Sequence, residues 1–165
     1  MNKVLAREEL VAKSASLAEK WHDGQQHTFG SDSYYAMHLK PVAEIARRLG
    51  YGSYYVATAY LHDIKEDTAI TDKELLSEGI PKEVIKAVNL LSKKANQSQQ
   101  EYLAGILTSQ LATVVKYCDS SFNFSNTILN SAHLAREDFE RRSAKYSQNI
   151  SILFPNIIEK GSKEK

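Results

Sequence analysis

The residues best suited to chemistry are His62 and Asp63, which end an apolar stretch, Ala57-Thr58-Ala59-Tyr60-Leu61. An adjacent imidazole and carboxylate can reach one cation if the chain turns there, because imidazole suits transition metals and a carboxylate adds a hard oxygen and negative charge. On its own the pair also reads as a capped helix end. His38 and Asp119 extend it. His38 stands on the preceding predicted helix, and helices joined by a short turn pack antiparallel, so it can face His62. Asp119 follows the apolar run Val114-Val115, where a carboxylate is costly to bury unless paired or metal-bound. A two-His, two-Asp set leaves positions open for water and substrate on a metal that prefers more than four ligands.

These residues must be held by helices. Apolar residues from about Ala6 to Trp21 recur at helical spacing, and the polar stretch Asp23 to Ser33 reads as a loop. A second helix is expected from about Tyr35 to Leu49, starting near His38 or bending there because Pro41 falls inside it. Ser53 is a candidate cap for a third helix that reaches His62. Thr71-Asp72-Lys73-Glu74 and Ser98-Gln99-Gln100-Glu101 have the capping-box pattern, the first helix ending at Gly79. Pro81 suits a first helical turn. Leu111 to Phe122 and Ala135 to Leu153 complete the pattern. The reading is an all-α domain of roughly six to eight helices over residues 1–160, with 161–165 as a disordered tail.

Composition narrows the function classes. Lys and Arg total 21 against 20 for Asp and Glu, which argues against bulk nucleic-acid binding. No apolar run is long enough to span a membrane, and the first residues turn acidic before any apolar stretch develops, unlike a signal peptide. The single cysteine, Cys118, excludes an internal disulfide and reads as a small buried hydrophobe. A cytoplasmic enzyme acting on a small molecule is the expectation.

The motifs taken together resemble the HD-domain phosphohydrolases, and within them the alarmone hydrolase branch: the hydrolase domain of the RelA/SpoT proteins and the small alarmone hydrolases. The resemblance runs from His22 to Asn126. It is carried by His22-Asp23-Gly24-Gln25, Tyr35-Ala36-Met37-His38, Leu61-His62-Asp63-Ile64-Lys65-Glu66-Asp67-Thr68, Leu91-Ser92-Lys93-Lys94, and Val115-Lys116-Tyr117-Cys118-Asp119 with Asn123. The Glu-Asp-Thr at this offset from His-Asp is the specific part. The resemblance implies an all-α bundle and Mn²⁺-dependent removal of the 3′-pyrophosphate from (p)ppGpp-like nucleotides, giving GDP or GTP and pyrophosphate. It implies His38, His62, Asp63 and Asp119 as metal ligands and Glu66 and Asp67 as the pair that activates water. It also implies Asn123 as a nucleotide contact. No synthetase region is expected after the hydrolase part.

The sequence departs from the family where the nucleotide is read. His27 stands in the place of an arginine that packs on the base, Thr28 in that of a lysine, and Ser120 in that of an arginine. An imidazole can stack on a purine but lacks the fixed fork of guanidinium donors. If His27 touches the base, preference is expected to vary between about pH 6 and 8, where an imidazole charges. Lys116 is a candidate phosphate contact. Arg136, Arg141, Arg142 and Lys145 read as a solvated helix face paired with nearby acids. His22 reads as ordering its loop. Two alternatives stay open: a hydrolase of a different, adenine-based nucleotide, and a non-catalytic nucleotide-binding module.

Overall fold

The computed structural model describes residues 6–30 and 32–159. The chain forms α1 (Arg7–Trp21), then a π-helical turn (Tyr35–Leu39) that runs directly into α2 (Lys40–Arg48). There follow α3 (Ser53–Leu61), α4 (Ile64–Asp67), α5 (Asp72–Ser77), α6 (Lys82–Leu91) and α7 (Gln99–Leu107). The chain closes with α8 (Gln110–Leu129), a short 3₁₀ turn (Ser131–His133) and α9 (Arg136–Glu159). Eight of these α-helices are longer than a single turn, and the described residues hold no strand. The fold is all-α, as expected. The expected tail at 161–165 lies outside the described residues.

The axis of the fold is α3. Every residue from Tyr55 to Leu61 is buried, the pattern of a helix surrounded by others. Its two sides serve two clusters. Tyr55, Val56, Ala59 and Tyr60 pack with Leu39, Val42, Val114, Val115 and Cys118. Ala57 and Leu61 pack with Leu10, Leu17, Ile64, Leu75 and Val84. A fully buried leucine contributes about 1.5–3 kcal/mol, so Leu61 and Ile64, both with no exposed surface, fix the chain on either side of His62-Asp63.

Local chemistry explains the boundaries. Thr71 and Ser98 each accept a hydrogen bond from the backbone N–H three residues on, and Glu74 and Glu101 close the reciprocal bonds. Pro41 lacks an N–H, and the π-turn absorbs that break: Lys40 N–H donates to the Tyr35 carbonyl, five residues back. Three boundaries differ from the sequence reading. Gly52, not Ser53, precedes α3, and the Ser53 hydroxyl is buried without a hydrogen-bond partner. Pro81 stands just outside α6 rather than in its first turn. Pro155 does not stop α9, because buried Leu153 and the Phe154 ring stacked on Tyr117 hold the helix against α8 across it.

Candidate metal centre and substrate cavity

Three elements converge at the C-terminal end of α3. His62 ends that helix and Asp63 opens the α4 turn. His38 comes from the π-turn, and Asp119 from the middle of α8. The Nε2 atoms of His38 and His62 lie 3.2 Å apart. Asp63 Oδ2 stands 3.4 Å from His38 Nε2 and 3.0 Å from His62 Nε2. Asp119 Oδ1 lies 3.4 and 3.7 Å from the same two nitrogens. His38, His62 and Asp63 thus offer three donor atoms within 4.8 Å of one another, with Asp119 beside the imidazoles.

The donor set suits a divalent cation. His62 Nδ1 lies 2.7 Å from the Ala59 carbonyl, so Nδ1 carries a proton and Nε2 is the nitrogen turned to the cluster, where a cation would replace its proton. Burial alone would push both imidazoles down, but the carboxylates of Asp63 and Asp119 outweigh it and push them up, His62 to about 10. Burial would likewise raise the two aspartates. His62 and His38 hold Asp63 well below the usual range, and Lys116 with the same imidazoles does so for Asp119. A cation entering the cluster takes over a balance of charge that the four side chains already maintain.

Further groups brace this cluster. Lys116 Nζ lies 2.8 Å from Asp119 Oδ2, and Asn123 Nδ2 donates to Asp119 Oδ1 at 2.6 Å. Both residues also line a cavity of about 220 Å³ over the cluster. They orient a carboxylate as well as facing the space where a ligand would sit.

Glu66 and Asp67 stand elsewhere. Both are exposed and lie outside the ring of residues that lines the cavity. Glu66 Oε2 accepts from the Lys93 backbone N–H at 3.1 Å, and Asp67 Oδ2 accepts from Gln25 Nε2 at 3.0 Å. Gln25 reaches it because Gly24, at φ +78°, turns the chain sharply after α1.

The cavity wall corrects several sequence readings. Arg142, Lys145 and Tyr146 line it, so α9 does not present a uniformly solvated basic face there. Arg136 and Arg141 do lie on the solvent side, paired with Glu140 and Asp138. Arg142 stands over the Phe29 ring at 5.0 Å. Ser120 has no exposed surface and accepts a bond from Asn149 of α9, so that position lies between helices and not in the cavity. His27 lines the cavity, but its buried ring packs on His38 and its Nδ1 accepts from the Phe29 N–H. Burial, then His38 and Arg142, push its pKa below 6.5, so it charges at a lower pH than the ordinary imidazole that the sequence suggested. Cys118 is buried, its thiol pushed up to about 12 by burial and then by Asp119.

Tyr34 is the contact the sequence gave least reason to single out. Its hydroxyl donates to Asp63 Oδ2, and its ring packs 5.0 Å from that of His38. The doubled Tyr34-Tyr35 was the available signal.

No protein-family model matches the chain, and no curated protein does. A solved structure does, across 98% of this chain and 99% of its own, with a TM-score of 0.70 at 16% identity. That structure is of a metazoan ortholog of SpoT, which hydrolyzes ppGpp. This chain has the same fold. The likeness to the SpoT ortholog covers the full bundle, including all three elements that converge on His38, His62, Asp63 and Asp119. Among the described residues, no helix is long and apolar enough to cross a membrane.

Proposed function

We propose that this protein is a metal-dependent phosphohydrolase that removes the 3′-pyrophosphate from a (p)ppGpp-like nucleotide. The observation that carries the reading is the convergence of two imidazoles and two carboxylates beneath a cavity whose wall holds Lys116, Arg142 and Lys145. A cluster built for a cation, beside cations built for phosphate, suits phosphoryl transfer.

His38, His62, Asp63 and Asp119 would hold the divalent ion, with Mn²⁺ the metal the sequence resemblance implies. When bound, the ion lowers the pKa of a water and neutralises charge on the phosphoryl oxygens. The remaining work falls to the chain. Arg142 offers a planar fork of donors to phosphate oxygens, and Lys145 a point charge. Tyr146 and His27 provide flat rings at the cavity wall for a base or ribose. Lys116 and Asn123 keep the Asp119 carboxylate in one orientation. Asp67, steadied by Gln25, accepts the proton of the attacking water. Glu66, anchored on the Lys93 N–H, holds the neighbouring α4 turn in place.

The test is a hydrolysis screen with Mn²⁺ against ppGpp, pppGpp, pppApp and ordinary nucleotides. Release of pyrophosphate from the 3′-pyrophosphorylated nucleotides, and none from ATP or GTP, is the expected result. Glu66→Gln and Asp67→Asn are expected to lower turnover with metal still bound, Asp67→Asn by about 10²–10⁴-fold. Turnover of every nucleotide at the background rate would overturn the reading in favour of a binding module.

A further inference from the structure

His22 closes α1 in a way that sets its chemistry. Its Nδ1 lies 2.8 Å from the Ala18 carbonyl. A carbonyl only accepts, so Nδ1 carries a proton. The side chain has no exposed surface, and Nε2 is buried with no hydrogen-bond partner. That nitrogen faces Asp67 Oδ2 at 4.0 Å, too far for a hydrogen bond. An orphaned buried nitrogen is uncommon in folded proteins and calls for a physical reason.

The reason lies in the protons. With Nδ1–H committed to Ala18, the neutral ring presents Nε2 as an acceptor only. An ionised Asp67 is also an acceptor only. Two acceptors do not bond, and the gap of 4.0 Å follows. One added proton changes this, whether it sits on Oδ2 and points to Nε2 or on Nε2 and points to Oδ2. The contact is therefore absent before Asp67 takes a proton and present afterwards. An interaction made only as the reaction proceeds accelerates it, whereas one already made in the starting state does not.

We infer that His22 is a positioning residue for Asp67, closing onto it over the proton that Asp67 removes from the attacking water. The inference rests on the reading of Asp67 given above. In that step the water oxygen loses a proton to Asp67 as its electron pair forms the new bond to phosphorus. The bond from phosphorus to the leaving oxygen breaks, and its pair goes with that oxygen. The proton is shared between Asp67 Oδ2 and His22 Nε2 until it passes to the leaving oxygen or to solvent. Gln25, which donates to the same carboxylate, limits its rotation. The Tyr34 ring lies 5.6 Å from that of His22, and its hydroxyl donates to Asp63 Oδ2.

Asparagine at position 22 places an amide nitrogen where Nδ1 stands, so His22→Asn keeps the bond to Ala18 and deletes Nε2. The experiment compares parent, His22→Asn, Asp67→Asn and the double variant, with ppGpp and Mn²⁺. His22→Asn is expected to lower kcat by about 10–100-fold, leaving KM and bound metal unchanged. The double variant is expected to be no slower than Asp67→Asn alone. A second readout needs no turnover. In the structure of Asp67→Asn, whose amide can donate, the side chain at position 67 is expected to close from 4.0 Å to hydrogen-bond distance of His22 Nε2, because the acceptor then meets a donor. Losses that multiply in the double variant, or a side chain at position 67 that stays about 4.0 Å from His22 Nε2 in Asp67→Asn, would overturn the inference. A parent that hydrolyses no nucleotide, with the contact still closing in Asp67→Asn, would instead retire the functional reading and leave the pair standing.

Discussion

Tyr34 Oη lies 2.6 Å from Asp63 Oδ2, the same oxygen that stands 3.0 Å from His62 Nε2. One carboxylate oxygen is thus shared between a phenol and the imidazole cluster. Burial, and then Asp63 itself, push the Tyr34 pKa up, so the phenol keeps its proton and acts as a donor at every working pH. It fixes the carboxylate that turns toward the proposed cation.

Removing this donor tests that role. Tyr34→Phe is expected to leave the fold intact, since the ring still packs on His38 and His22. Metal affinity is expected to fall by about 10-fold or more, the range for lost partners of ligating groups. Isothermal titration of Mn²⁺ into parent and variant measures it. Equal affinities would mean that His62 and His38 hold Asp63 without help.

Protonation of the cluster predicts a pH window. His62 is raised from 6.5 to about 10 by the aspartates. A raised imidazole stabilises the fold fully below the unfolded value and loses that contribution as pH rises through the folded one. In the presence of a chelator, stability is therefore expected to decline between about pH 6.5 and 10. Metal needs the bare nitrogen, so its binding displaces protons and strengthens across the same window. With saturating metal the decline in stability is expected to flatten. Melting curves at stepped pH, with EDTA or with Mn²⁺, check both halves, and a chelated protein whose stability rises toward pH 9 would contradict the charge balance described for His62. His62→Ala is expected to abolish high-affinity binding altogether.

Where the sequence was legible, the signal was local. The capping boxes at Thr71 and Ser98 need only a hydroxyl and a carboxylate three residues apart, and both formed. The meeting of His38, His62, Asp63 and Asp119 was also foreseeable, because an aspartate inside the apolar run of α8 has few affordable partners. Illegible were the features that depend on which way a helix rolls. Arg141 and Arg142 are adjacent and chemically identical, yet one pairs with Asp138 in solvent and the other lines the cavity. Successive helical residues point about 100° apart, and only the packing of α9 on α8 decides between them. Ser120 shows the same limit in reverse, since it faces Asn149 rather than the ligand space.

That contrast between neighbours gives a controlled test of phosphate recognition. Arg142→Ala and Lys145→Ala are expected to raise KM for a 3′-pyrophosphorylated nucleotide by about 10-fold each, the size of one charge-assisted hydrogen bond near 1.5 kcal/mol. Arg136→Ala and Arg141→Ala serve as controls, because exposed ion pairs contribute little. Their kinetics and melting temperatures are expected to match the parent. Equal effects at Arg141 and Arg142 would mean that the whole helix acts through its net charge rather than through two cavity-lining cations.

Base preference follows from His27. The ring lines the cavity and packs on His38 and Tyr34, with Nδ1 accepting from the Phe29 N–H, and burial with the nearby His38 and Arg142 favours its neutral form. A neutral imidazole can stack on either purine and offers no cation to the base face. Losing a cation over an aromatic face costs about 0.5–2 kcal/mol, a few-fold to roughly 30-fold in affinity. Guanine and adenine 3′-pyrophosphate nucleotides are accordingly expected to be turned over with similar kcat/KM. Their ratio is expected to vary less between pH 6.5 and 8 than a histidine of ordinary pKa against the base would make it vary. His27→Arg is expected to shift the ratio toward ppGpp, at some cost in stability, because Arg142 already holds a cation over Phe29 beside it. Initial rates for ppGpp and its adenine counterpart across that pH range, with parent and variant, decide the matter. A strong guanine preference in the parent that His27→Arg does not alter would assign base reading to another wall residue, with Tyr146 next in position.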